Sequence, residues 1–183
     1  MERSEATFAA YDAVEITTAD GTVVRAPALS VAEAARFLRL MAKVRSGDAA
    51  AHAELVATLP GRLGVASLPI SSLGVTVTLP DEVACPDLTV ADALAFAGVV
   101  ERAGEPDGWA AQVEILDRVP SWFPDADISP SGVFSLAREF AGGVYGAMYG
   151  MADSFFGRLA LIPVGQAVVE GTEEWTSGPD STT

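Results

Sequence analysis

A chain of 183 residues, half of them apolar, is long enough for one substantial core or for two small lobes sharing one. Its single cysteine excludes an intrachain disulfide framework and supplies no cluster for a metal, so a reducing compartment is the expected setting. The formal net charge of -14 argues against nucleic acid as a partner, because an acidic body repels a phosphate backbone.

The first elements are two alternating runs, Val14-Glu15-Ile16-Thr17-Thr18 and Thr22-Val23-Val24-Arg25-Ala26, on either side of Ala19-Asp20-Gly21. Gly21 tolerates the positive φ of a tight reversal, so a β-hairpin is predicted. Next comes Pro27-Ala28-Leu29-Ser30-Val31-Ala32-Glu33-Ala34-Ala35-Arg36-Phe37, a pattern that recurs 59 positions later as Pro86-Asp87-Leu88-Thr89-Val90-Ala91-Asp92-Ala93-Leu94-Ala95-Phe96. In each copy a hydroxyl residue can cap a helix while the acid three positions on reaches back to the cap's own N–H. The first copy predicts a helix from Val31 to about Arg45, with Val31, Ala34, Leu38, Met41 and Val44 as its apolar stripe. Ser46-Gly47-Asp48 ends it, and Asp48 caps a second helix running through Leu59, where Pro60-Gly61 is expected to stop it.

Residues 60–88 are rich in Pro, Gly and Ser and hold one convincing strand, Gly74 to Leu79. The second capping pattern then starts a helix from Val90 to about Arg102, Gly104 to Gly108 breaks the chain, and a fourth helix spans Trp109 to Val119. The residues from Ser131 to Leu161 also suit a helix, although Gly142, Gly143, Gly146, Gly150 and Gly157 each weaken it by about 1 kcal/mol relative to Ala. The fold expected is therefore α+β and mostly α: an N-terminal hairpin, four or five helices and one short strand near 74–79. Residues 1–169 read as a single globular domain, with a division into two lobes near 60–88 left open. Residues 170–183 read as an acidic flexible tail.

Little in the chain suggests catalysis. His52 is the lone histidine, set among alanines, and reads as a solvent-facing or helix-packing residue. Cys85 reads as a small, partly buried hydrophobe, and Asp125-Ala126-Asp127 as a loop rather than a cation site. With no phosphate loop, no dinucleotide fingerprint and no nucleophile elbow, neither enzyme activity nor a cofactor or metal is expected.

The interaction candidates are three. Arg36, Arg39 and Lys43 recur at helical spacing in a first third that is nearly neutral, seven Lys or Arg against eight Asp or Glu over residues 1–64, whereas residues 65–183 hold four against seventeen. Such a stripe is either a solvated face or a dock for the acidic half of the chain or for a partner. Gly142, Gly146 and Gly150 lie four apart and make a smooth face on which another helix can come close, inside the core or at a partner or oligomer seam. Tyr145 and Tyr149 line an adjacent face.

The hairpin around Asp20-Gly21, followed by Ala28 to Leu40 and by Leu55-Val56-Ala57-Thr58-Leu59-Pro60, resembles the small tail-assembly proteins of long-tailed phages and prophages over residues 12–64. That resemblance implies a chaperone for the tape-measure or tail-tube protein, and it transfers no functional residue. The expected role is thus a protein-binding assembly factor, with a virion structural subunit as one alternative. The other is a small-molecule or enzyme domain with a pocket near Trp109, Trp122 and Phe123. A protein partner and a homo-oligomer both suit this reading; a membrane does not. The longest charge-free stretch of the apolar C-terminal region, Phe140 to Ala152, is shorter than the roughly 20 residues of a spanning helix. Met1-Glu2-Arg3-Ser4-Glu5 lacks the order of a secretory signal, so a cytoplasmic location is expected.

Overall fold

A computed structural model describes residues 14–27 and 29–159, and the hairpin is its first element. Strands β1 (Val14–Thr17) and β2 (Val23–Ala26) pair antiparallel with Ile16 opposite Val24. One carboxylate holds the turn: Asp20 Oδ1 accepts the Thr18 hydroxyl at 2.5 Å and the Thr22 N–H at 2.9 Å. Gly21 takes the φ of 87° that the reversal requires. Those hydrogen bonds, Thr18 first, hold the Asp20 carboxyl below its ordinary value.

Helix α1 (Val31–Arg45) begins in a closed capping box, with Ser30 Oγ accepting the Glu33 N–H at 3.3 Å and Glu33 Oε2 accepting the Ser30 N–H at 3.0 Å. The Ser30 N–H is the main reason the Glu33 carboxyl also lies low. The helix buries Ala34, Phe37 and Leu40, whereas Val31 and Leu38 of the expected stripe are exposed. At 100° per residue Leu38 is turned well away from Phe37, so the larger Phe37 and Leu40 take the core side.

Helix α2 (Ala49–Leu63) starts at Asp48, whose carboxylate accepts the Ala51 N–H at 3.0 Å. It does not stop at Leu59. Pro60 lies inside its last turn, and the helix ends at Gly64, where φ is 71°. Leu59, Pro60 and Leu63 are all buried, and that packing offsets the hydrogen bond Pro60 cannot donate.

After a 3-10 turn at Ile70–Leu73, strand β3 (Val77–Leu79) reverses at Pro80-Asp81 into β4 (Glu82–Ala84), with Leu79 opposite Glu82. The second strand of this pair went beyond the one strand legible in the sequence, since three residues are too few to display an alternation. Ile70 N–H to Leu88 O and Val90 N–H to Leu68 O, both 2.8 Å, tie this segment to the start of α3 (Val90–Ala103). There Thr89 Oγ1 accepts the Asp92 N–H at 3.1 Å, but the Asp92 carboxylate takes the Thr89 hydroxyl at 2.7 Å instead of the Thr89 N–H. One methylene shorter than Glu33, Asp92 leaves the second box half closed.

Helix α4 (Trp109–Trp122) runs past Val119 and through Pro120, because Trp122 finds aromatic partners one turn on: Phe96 at 4.6 Å and Phe140 at 5.5 Å between ring centroids. Helix α5 (Pro130–Leu159), 30 residues and about 45 Å long, then touches α2, α3, α4, β1 and β3. Its buried line of Val133, Ala137, Phe140, Val144, Met148, Ala152 and Phe155 repeats every three to four residues and joins a core extending from Ile16. The architecture is α+β and mostly α. Among the described residues no helix is long and apolar enough to cross a membrane, and the expected tail at 170–183 lies outside them.

Replacing either cap with alanine should destabilise the protein by about 1 kcal/mol, read as a lowered thermal midpoint. Ser30→Ala should exceed Thr89→Ala, because only Ser30 belongs to a closed box. The lowered carboxyls make a second prediction. Stability contributed by Asp20 and Glu33 is complete above their unfolded values of 3.8 and 4.5 and is lost as pH falls through the folded ones. Asp20→Asn and Glu33→Gln should each flatten the fall of the thermal midpoint between about pH 5 and pH 2.

Candidate functional site

The basic stripe of α1 is partly engaged inside the chain. Arg36 forms an ion pair with Glu54 of α2, and Arg62 of α2 answers with Glu33 of α1 at 2.5 Å. Arg45 reaches Asp153 of α5 at 3.5 Å. Arg39 donates its Nε–H to the Ala35 carbonyl, and neither Arg39 nor Lys43 has an ion-pair partner among the described residues. Those two cations flank a strip of exposed apolar surface, Val31, Leu38 and Ala42.

Among the described residues nothing packs closely on the glycine face. A Cβ added at Gly142, Gly146 or Gly150 would meet nothing within 4 Å, whereas one at Gly143 would touch the Val75 side chain at 3.3 Å. The helix expected against this face inside the core is absent among the described residues, since α5 packs through its valine, phenylalanine and methionine line instead.

Tyr145 and Tyr149 look the other way, into the fold. They enclose His52 of α2, with ring centroids 5.4 Å and 5.9 Å from the imidazole, and Glu101 of α3 lies 3.9 Å from its Nδ1. His52 is therefore a helix-packing histidine. Burial first, then the nearby Glu101 charge, pushes both phenols above their ordinary value. The Tyr149 hydroxyl is closed to solvent and has no hydrogen-bond partner among the described residues.

A large concavity lies at the opposite end of α5, between the β3–β4 hairpin, the α4–α5 loop and the first turns of α5. It is an open groove of about 1080 Å³. Leu79, Phe123, Ile128, Leu136 and the half-buried Trp122 give it an apolar floor. Asp81, Glu82, Asp125, Asp127 and Glu139 stand around it, and among the described residues no Lys, Arg or His lines it. Glu139 is fixed by accepting the Thr78 N–H at 3.2 Å. The acids are dispersed: among the described residues no three His, Cys, Asp or Glu side chains come together to hold a metal ion. Cys85 sits half-buried in the wall with its thiol against the Val75 carbonyl at 3.1 Å, and burial, then the Asp87 charge, pushes the thiol up. Asp125 and Asp127 occupy a loop, in keeping with the sequence.

Trp109, grouped with Trp122 and Phe123 in the sequence, stands apart from this groove. It belongs to the outer face of α4, where Trp109, Val113 and Leu116 are 73, 57 and 38% exposed, opposite the buried Ala111, Ile115 and Val119. The signal was present, since positions 109, 113, 116 and 120 carry a second helical period beside 111, 115 and 119. The groove acids had no such signal, coming from three segments far apart in sequence. No protein-family model matches the chain, and neither a curated protein nor a solved structure matches it.

With open space around Gly146, Gly146→Ala should stabilise the protein by up to about 1 kcal/mol through helix propensity alone. Gly146→Leu should be close to neutral. A loss of several kcal/mol for the leucine variant in thermal unfolding would show instead that something covers this face.

Proposed function

We propose that this chain works by binding protein, as an assembly factor of the kind its first third resembles: a tail-assembly chaperone for the tape-measure or tail-tube protein of a long-tailed phage or prophage. The supporting observation is the outer face of α4. Trp109, Val113 and Leu116 project a contiguous apolar stripe into solvent from a helix whose other side is already fully used in the core. Exposed apolar patches of this kind mark protein-interaction surfaces, and tryptophan is the residue most often found as their energetic centre. Chaperoning needs such a surface to cover apolar segments of a structural protein before they find their place.

Co-expression with a tape-measure or tail-tube protein of a long-tailed phage tests the reading. The wild-type chain should keep that protein soluble and co-purify with it. Trp109→Ala with Val113→Ser should weaken the complex at least about tenfold while leaving the thermal midpoint nearly unchanged. A complex unaffected by these changes, or none at all, overturns the proposal. Persistence of the chain in finished particles would make it a structural subunit.

The groove supports a second reading, a small-molecule site floored by Trp122 and Phe123. Its volume lies at the upper edge of the roughly 300–1,000 Å³ of ligand sites, and it is open. A metabolite that raises the thermal midpoint, with loss of that effect in Leu136→Glu, would favour this reading over the first.

A further inference from the structure

We infer that copies of this chain associate head to tail, the outer face of α1 on one copy seating in the acidic groove of the next. This rests on the reading of the chain as a protein-binding component and names one of its partners: itself.

The two surfaces are complementary in shape class and in charge. The groove is an apolar trough ringed by carboxylates, and no cation lines it among the described residues. The outer face of α1 is an apolar ridge, Val31 and Leu38 being 64 and 53% exposed, with Arg39 and Lys43 along one flank and Arg45 along the other. Unlike charges around an apolar contact fix its orientation and exclude the wrong pairing.

The two surfaces do not meet within one chain. Arg45 reaches α5 at Asp153, whereas the groove uses α5 only from Gly132 to Glu139. Fourteen residues of helix separate Glu139 from Asp153, about 21 Å at 1.5 Å per residue. A ridge at one end and a trough at the other make a heterologous contact, which propagates from copy to copy or closes into a ring. A two-fold dimer through the groove would bring carboxylates against carboxylates. The chain's own terminal segments are also poor occupants: residues 1–13 carry one arginine against three acids, and residues 160–183 carry four acids and no Lys or Arg. The net charge of -14 opposes association at long range, but at about 0.15 M salt the screening length is about 8 Å, which damps that repulsion more than the contacts of the interface itself.

Analytical ultracentrifugation of the full chain at about 0.15 M salt, from about 10 μM to about 1 mM, tests this. The wild type should grow beyond a dimer as concentration rises. Arg39→Glu with Lys43→Glu spoils the ridge and keeps the trough, while Asp125→Asn with Asp127→Asn weakens the trough and keeps the ridge. All four residues are exposed, and circular dichroism should show both variants folded. Each variant alone should associate at least about tenfold more weakly than the wild type. Mixed in equal amounts they should stop at a 1:1 heterodimer, because one intact ridge meets one intact trough and both remaining surfaces are disabled. A wild type that stays monomeric, variants that associate like the wild type, or a mixture that forms no heterodimer overturns the inference. Both variants should still bind the tail-protein partner through α4, so failure here and failure of the functional proposal are read from different experiments.

Discussion

Everything in this fold leans on one seam, the buried line of α5 from Val133 to Phe155. Each of those side chains contributes roughly 1.5–3 kcal/mol on leaving water if it is as large as valine or phenylalanine, and less for the alanines. The helix interior meanwhile carries Gly142, Gly143, Gly146 and Gly150, at about 1 kcal/mol each against helix formation. Burial wins comfortably, so a helix with poor intrinsic propensity runs unbroken for 30 residues. Phe140 is its midpoint anchor, meeting Phe96 of α3 and Trp122 of α4 in one aromatic cluster, with the Arg118 guanidinium 5.3 Å from the centre of the Phe96 ring. This same cluster carries α4 through Pro120, and through α4 it sets both the apolar outer stripe and one wall of the groove.

Charge is arranged around that seam rather than within it. The ion pairs Arg36–Glu54, Arg62–Glu33 and Arg45–Asp153 are all solvent-accessible, and pairs of that sort contribute only about 0–1 kcal/mol each. Their effect is to orient α1 on α2 and α5. Arg39 and Lys43 are left outside these pairs, while the carboxylates of the groove gather at the other end of α5. The uneven charge of the chain thus becomes two separated surfaces of unlike character.

Local signals in the sequence were legible wherever the physics was local. The hairpin around Asp20-Gly21 and the starts of α1, α2 and α3 each depend on a side chain satisfying backbone groups within four residues of itself. Stop signals were less dependable. Pro60 and Pro120 both look like terminators, yet each helix continues three or two residues further because Leu63 and Trp122 have partners in the core. The Val31, Leu38 reading of α1 missed for a related reason: apolar residues lie on two sides of that helix, and only a neighbour chooses which side is inside.

By itself, then, the sequence determined the class of the fold, the starts of its helices and the polarity of its charge, since these follow from spacing and composition along the chain. Tertiary structure alone decided where the glycine face of α5 points, which apolar residues stay in solvent, and how acids from the β3–β4 turn, the α4–α5 loop and α5 come to surround one groove. Those outcomes depend on contacts between residues some 40 to 60 positions apart, such as Thr78 with Glu139 and Phe96 with Phe140, and no periodicity within a single segment can encode them.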